Sequence, residues 1–499
     1  MRADELLGRS AARFPAKIAV VCGAERCSYE QLERRAAAFA SRLLDAGIER
    51  GDRVAVCLEN SIDAVVAIFG ILKAGAVFFV VNPHTRPERL ASLLADSAAS
   101  AVISKKGREK GSGIPFFSRM SRKKGSRTPF LGQKAPGPFF EDLAALVYTS
   151  GSTGEPKGVM VTHGNITSSA AAICEYLELT DADVILNALP LAFSYSLGQL
   201  TTAFHVGATM VLERSFAYPA AILDTMARER VTGLPLVPTI ATLLLQHDLR
   251  SHCLPHLRYI TNAAAALTAS KLHGLRDAFP QAQVYSMYGQ TECHRISYLP
   301  PNQIDERPGS VGIAIPGSDV FIVDDRGRRV PRGTIGELVV RGPHVMKGYW
   351  NKPTLTAAVL RPCNAPGGPA YYTGDLFRMD ADGFLYFVDR KDDVIKTRGE
   401  KVAPRQIEEV IAQLTGVAEV SAFGVLDEIL GEAVAVAVTP VPGAQLTERQ
   451  IQRHCLERLE PFMVPKVVDI RDALPMTATG KISRRTLRAL ITAADGASV

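Results

Sequence analysis

LVYTSGSTGEPKGVMVTH, residues 146–163, decides how the rest of this chain is read. Leu146, Val147 and Tyr148 are apolar or aromatic and read as the end of a buried strand; Val159, Met160 and Val161 resume one. Between them lie Thr149, Ser150, Gly151, Ser152, Thr153 and Gly154, then Pro156, Lys157 and Gly158. No side chain in this run is bulky enough to keep a polyphosphate away. The glycines let successive backbone N–H groups converge into an anion nest, the hydroxyls add donors, and Lys157 adds a charge. The run is not the Walker-type phosphate loop, because the spacing before the lysine differs and no Ser or Thr follows Lys157. The plain alternative is a Gly/Ser hairpin between two strands.

Outward from this stretch, residues 10–100 alternate helical and strand patterns. Tyr29–Ala46 repeats apolar positions at three and four and ends at Gly47; Arg53–Leu58 reads as a strand, Ile62–Leu72 as a helix and Ala76–Val81 as a strand. After Asn165 the alternation returns, with strands expected at 184–189, 208–212, 234–237, 258–262 and 283–288 and helices between them. Such βα alternation implies a layered α/β domain whose ligand loops lie at the carboxyl ends of strands. Residues 309–390 change character: Asp319–Asp324, Gly336–Arg341 and Gly383–Asp389 are short strands set off by turn residues, a β-rich subdomain. A compact α+β tail follows, with an amphipathic helix near 404–413.

At 499 residues the chain exceeds what one core supports. With 47% hydrophobic and 22% charged residues it is globular. Its eight scattered cysteines form no C-x-x-C pair, which suits reduced thiols better than disulfides or zinc. The start, MRADELLGRS, has no apolar core, and Lys73 and Gly75 interrupt the most apolar stretch, so the reading is a cytoplasmic protein with no membrane span. The net charge of +6 is local: residues 101–140 hold ten Lys or Arg against one acid, +9, which leaves −3 elsewhere. That basic, Gly/Ser-rich segment reads as a surface loop, with a patch for an anionic partner as its functional alternative. Phe116, Phe117 and Phe130 within it are too few, without a recognisable module, to make nucleic acid a partner.

The 146–163 string resembles the phosphate-binding signature of the adenylate-forming superfamily, which includes acyl-CoA synthetases, peptide-synthetase adenylation domains and luciferases. Motifs in family order recur as far as Lys481, so the resemblance spans nearly the whole chain. It implies a large N-terminal domain of layered α/β subdomains with a β-rich subdomain, residues 1–390, binding ATP and the acid. A small mobile α+β domain, residues 391–499, would carry the catalytic lysine. Thr149 to Gly154 and Lys157 would cradle phosphate. In Tyr288-Gly289-Gln290-Thr291-Glu292, Tyr288 and Gly289 would flank the adenine, Thr291 would contact the α-phosphate and Glu292 would hold Mg²⁺. Asn262, Ala263 and Ala264 would run along the purine; Ser286 stands where the family often has Asn. Tyr372-Thr373-Gly374-Asp375 reads as the end of another strand, and Asp375 there would accept both ribose hydroxyls, with Arg390 as second ribose contact. Asp392 matches the hinge, and Lys396 to Gly399 the loop facing the thiol. Lys481 matches the lysine that reaches the carboxylate and the α-phosphate.

The acid pocket would involve Phe193, Ser194 and Ala265. Amino-acid-activating relatives carry Asp where this chain has Ser194, which cannot balance an α-ammonium. That argues for a fatty, hydroxy or aryl acid. His294 and Arg295 are structural residues or contacts to a polar group on the acid. The implied reaction is ATP-dependent ligation of a small carboxylic acid to CoA through an acyl-adenylate. The alternatives are loading of a carrier protein's phosphopantetheine and, in a different class, a catalytically inactive nucleotide-binding protein. Joint presence of Thr291, Glu292, Asp375, Arg390 and Lys481 argues against the last.

Overall fold

The computed structural model describes residues 1–105, 117–120, 142–150, 156–249, 252–362, 369–398, 400–427, 429–476 and 482–495. Gly151, Ser152, Thr153, Gly154, Gly399 and Lys481, together with nearly all of the basic segment, lie outside the described residues. The chain forms two compact units, residues 1–320 with 340–372 and residues 321–339 with 373–499.

The first unit is layered α/β, as the alternation implied. One sheet runs through parallel strands in the order Gln283–Tyr288, Tyr259–Asn262, Gly233–Leu236, Val184–Asn187, Thr209–Leu212 and Ile18–Cys22. Most of their residues are buried, which suits a sheet covered by helices on both faces. The expected elements stand within one to three residues of their forecast ends: Tyr29–Asp45, Arg53–Cys57, Ile62–Lys73 and Val77–Val80 among them. Tyr29–Asp45 starts at a capping box in which Ser28 accepts from the Gln31 N–H and the Gln31 side chain accepts from the Ser28 N–H.

A second, seven-stranded sheet holds the stretch that opened the reading. Strand Leu143–Ser150 pairs antiparallel with Pro156–Thr162, Thr149 opposite Lys157 and Ser150 opposite Pro156. The two strands that flank the phosphate-loop candidate are therefore antiparallel neighbours in one sheet. Strand Gly348–Tyr349 adds to the far edge, Tyr349 opposite Val159. Phe79, Leu143 and Leu146 of this sheet share one buried apolar cluster with Trp350.

The second unit contains the expected β-rich strands and the tail. Strands Ile335–Arg341, Ala370–Met379 and Leu385–Arg390 lie side by side. A further five-stranded sheet, built on the long hairpin Val417–Asp427/Gly431–Pro440, is covered by helices Pro404–Ile411, Glu448–Leu456 and Arg484–Asp495. One element departs from expectation. Thr373-Gly374-Asp375 is not at the end of a strand but inside the ten-residue strand Ala370–Met379. Gly374 there takes φ +70°, so the strand continues past a residue type that usually ends one.

Among the described residues no helix is long and apolar enough to cross a membrane, and all seven described cysteines are free.

Candidate active site

In the first unit, the site residues gather where strand Gln283–Tyr288 ends and the chain turns through Gly289 to Arg295. Gly289 is required there: a Cβ would come within 2.6 Å of the His294 carbonyl oxygen. Tyr371 donates its hydroxyl to Gln290 Oε1 at 2.6 Å, and the Gln290 amide donates to the Tyr288 hydroxyl at 3.2 Å, fixing the turn. Tyr349 donates its hydroxyl to Glu292 Oε1 at 2.8 Å. The same ring has the Lys157 ammonium over its face, 5.8 Å from the centroid. Burial and the neighbouring Glu292 both push the Tyr349 phenol up, so it stays a donor to the carboxylate.

The segment around Tyr349 thus connects the two halves of the candidate nucleotide site. Lys347 N–H donates to Met160 O at 2.9 Å, Trp350 N–H to Gly158 O at 2.8 Å, and Met346 N–H to Glu292 O at 2.7 Å. Nothing in the local sequence singled out Tyr349 or Met346, because their partners lie 57 and 54 residues earlier in the chain. The only hint was Gly348, whose φ of +133° and 2.6 Å approach to Thr356 Cγ2 demand glycine.

Tyr288, Gly289, Thr291 and Glu292 are all partly open to solvent. Asn262 sits one strand over, opposite Ser286. Its amide donates to Ala265 O at 2.8 Å, which folds Ala263, Ala264 and Ala265 into a tight exit turn, with Ala264 at φ +74°. Left-handed backbone at an alanine is strained and concentrates where a ligand or a close approach sustains it. Asn262 Oδ1 is buried and without a partner.

A pocket partly open to solvent has Thr291 and Glu292 in one wall. Its other walls are Val147, Val161, Ile166, Leu197 and Met346, with Ser169, Ser194, Thr201, His294 and His344. Ser194 is one of the lining residues, at the first turn of helix Ser194–Val206. Phe193, which precedes that helix, and Ala265 do not line it. The His294 imidazole lies on Gly198, where a Cβ would be 2.1 Å from Nε2; only glycine leaves that room. Burial pushes the His294 imidazole down to about 3, aided by Arg295 and His344, and pushes His344 down to about 4. Both are neutral near pH 7. Arg295 is the buried structural member of the pair, 2% exposed and stacked at 5.0 Å on the Tyr195 ring.

Helix His163–Tyr176 supplies Ser169 to this pocket. Asn165 on the same helix donates to Pro343 O and Val345 O at 2.7 and 2.8 Å, so helix and pocket rim are tied together. Ser168 and Thr167 donate back to Gly164 O, the usual outlet for a helical hydroxyl. Ser169 does not: the residue is 3% exposed and its buried hydroxyl has no partner. An unpaired buried hydroxyl costs about 1–3 kcal/mol.

In the second unit, Arg390 Nε contacts Asp375 Oδ1 at 3.1 Å across neighbouring strands. Asp375 is buried, whereas the Arg390 side chain is 60% exposed. The motif is pinned from behind: Thr373 donates to Leu338 O at 2.8 Å, Gly374 N–H to Glu337 Oε1 at 3.1 Å, and Lys391 to Glu337 Oε2 at 3.0 Å. Asp392 lies in the exposed turn after strand Leu385–Arg390, and Lys396 is exposed in strand Ile395–Thr397. Arg484 holds helix Arg484–Asp495 against this turn through Asp393 at 2.9 Å and Glu408 at 2.8 Å.

Among the described residues no three His, Cys, Asp or Glu side chains cluster as a metal cage. Mg²⁺ does not need one, since it binds through one or two carboxylates plus substrate phosphates. Glu292, oriented through one oxygen by Tyr349, fits that role.

A family model described as "AMP-binding enzyme" matches residues 7–350, and one described as "AMP-binding enzyme C-terminal domain" matches 406–481. The chain belongs to the AMP-binding enzyme family. A feruloyl-CoA synthase from Amycolatopsis sp is 33% identical over 488 residues, covering 96% of this chain and 97% of that protein. The structure of ATP-bound MatB from Rhodopseudomonas palustris superposes with a TM-score of 0.85 at 30% identity, covering 98% and 99% of the two chains. O-succinylbenzoate coenzyme A synthetase from Bacillus subtilis, in complex with ATP and magnesium ion, gives 0.82 at 26%, covering 97% and 99%. The fold class and family expected from the sequence both stand.

Proposed function

We propose that this member of the AMP-binding enzyme family is an ATP-dependent acid–CoA ligase. A carboxylate oxygen of the acid attacks the α-phosphorus of ATP and pyrophosphate leaves. CoA thiolate then attacks the acyl carbonyl, and AMP leaves with the carboxylate oxygen that joined it. No protein nucleophile is needed, since positioning and charge neutralisation accomplish both steps.

The observation that carries this reading is the Tyr349 assembly. One phenol orients Glu292 and carries Lys157 on its face, next to a pocket that begins at Thr291. Glu292 would hold Mg²⁺, which neutralises the triphosphate, and Thr291 would donate to the α-phosphate. The hairpin from Thr149 to Lys157 would cradle the phosphates, and the Ala263–Ala265 turn would lie along the purine. Asp375 and Arg390 would bind the ribose. Lys481 would bridge the acid and the α-phosphate, in a domain from residue 391 that turns about Asp392 to bring Lys396–Gly399 towards the thiol. CoA is the favoured acceptor because the relatives matched over nearly their full length include a feruloyl-CoA synthase and a coenzyme A synthetase. A carrier-protein phosphopantetheine is the second reading, favoured by the basic charge of residues 101–140.

Pyrophosphate release across a panel of acids, with and without CoA and with a phosphopantetheinylated carrier, tests the assignment. Fatty or aryl acids should drive ATP–pyrophosphate exchange, and CoA should turn the enzyme over. Because Ser194 offers an α-ammonium no counter-charge, the twenty amino acids should be inferior substrates. Exchange driven best by an amino acid contradicts the acid assignment, and turnover with the carrier but not with CoA contradicts the acceptor.

A further inference from the structure

The pocket that opens at Thr291 and Glu292 combines two features a plain alkyl tunnel does not need. Apolar side chains from five separate segments, Val147, Val161, Ile166, Leu197 and Met346, form its walls. Into those walls the fold sets the Ser169 hydroxyl, buried and unbonded, where the two preceding hydroxyl residues of the helix return theirs to the backbone. The His294 imidazole lines the same pocket, lying against Gly198, with its own backbone at φ +59°. No hydrogen bond of the imidazole to another described residue accompanies that strain. Thr201, the neighbouring hydroxyl, is already committed to Gly198 O at 3.0 Å. Among the lining residues there is no lysine or arginine to receive a second carboxylate.

We infer that the acid activated here is a compact, mostly apolar one that carries a single uncharged hydrogen-bonding group away from its carboxylate, and that Ser169 and His294 are the residues that select it. This rests on the ligase reading and adds to it the substrate class. A buried hydroxyl without a partner and a half-buried imidazole beside the same pocket penalise any acid that cannot reach them, since both sides of the contact then stay unsatisfied. A long unbranched chain would bury the hydroxyl against methylenes. A dicarboxylate would place a charge among Val, Ile, Leu and Met side chains, where no cation meets it. A phenol, alcohol or ketone at the far end completes both groups.

The test is kcat/KM for acyl-adenylate formation with matched pairs: benzoic and 4-hydroxybenzoic acid, cinnamic and 4-hydroxycinnamic acid, octanoic and 8-hydroxyoctanoic acid. Palmitic and succinic acids complete the panel. In at least one pair the hydroxylated member should be preferred by about tenfold, the worth of one well-made hydrogen bond. Ser169→Ala should bring that preference to within about twofold. Gly198→Ala would place a methyl group where the imidazole lies, and should reduce the same preference without touching Ser169. That keeps the inference falsifiable if one variant does not fold. Palmitate or succinate as best substrate overturns it, as does a hydroxyl preference that survives both substitutions. In those cases adenylate still forms and the ligase reading stands; absence of adenylate with every acid overturns both.

Discussion

The Tyr349 phenol is the residue on which the candidate nucleotide site turns, because its hydrogen bond to Glu292 orients the carboxylate expected to hold the metal. Removing a partner that orients a ligating group typically costs 10–100-fold in metal affinity. Tyr349→Phe should therefore raise the Mg²⁺ concentration needed for half-maximal adenylation by about tenfold or more while leaving the fold intact. Glu292→Gln should lose adenylation by about a hundredfold, a loss that added Mg²⁺ does not fully restore. Magnesium titrations of pyrophosphate exchange in both variants check this; a Tyr349→Phe enzyme with an unchanged Mg²⁺ requirement refutes the orienting role. The residues legible in the sequence were those inside short strings of fixed order: Thr291 and Glu292, Asp375, Lys157 and Ser194. Tyr349, Ser169 and His344 were not, since each matters only through contacts with segments far away in the chain. A serine in an apolar helix or a tyrosine after a glycine carries no local mark of its role.

At the scale of elements, strands and helices were legible wherever apolar periodicity and a cap coincided, as in Tyr29–Asp45 behind Ser28. Strand Ala370–Met379 was misjudged because Thr-Gly-Asp is turn chemistry. There the carboxylate of Glu337 and the carbonyl of Leu338 take up the Gly374 N–H and the Thr373 hydroxyl, so the strand runs through. Helix His163–Tyr176 makes a pH-dependent prediction. At its start the buried His163 accepts the Ala3 N–H on Nδ1 at 3.0 Å, which requires the neutral ring. Burial pushes this imidazole down to about 4 from an ordinary value of 6.5. Between those values the unfolded chain binds the proton and the folded chain does not, so folding stability is fully present above about pH 6.5 and falls as the pH drops towards 4. The contribution is at most roughly 3 kcal/mol. Tm measured from pH 7.5 to 4.5 should fall more steeply in the wild type than in His163→Gln, which has no proton to gain. Equal slopes would show that His163 contributes nothing to the acid sensitivity.

For the whole molecule, the proposed reaction assigns different work to the two ends of the tail. If Lys481 meets the acid and the α-phosphate only during adenylation, Lys481→Ala should reduce that step by about 10²–10³-fold or more. It should spare transfer from supplied acyl-adenylate to CoA. Asp392→Pro fixes φ in the exposed turn after Arg390 and should show the reverse split, sparing adenylation and slowing transfer. Single-turnover rates of each half-reaction alone, in both variants, decide this; equal losses in both steps for both variants contradict a turning tail. The two-part organisation was legible from the change in strand pattern after residue 309 and from the helix near 404–413. The grouping of residues 321–339 and 373–390 with the tail was not, because it depends on long-range strand pairing. The central claim is the acyl-adenylate itself, and oxygen tracing tests it most directly. With both carboxylate oxygens of the acid labelled as ¹⁸O, one turnover in the presence of ATP and CoA should deliver a single ¹⁸O to AMP and leave the other in the thioester. Unlabelled AMP, or label recovered in inorganic phosphate beside ADP, would contradict it.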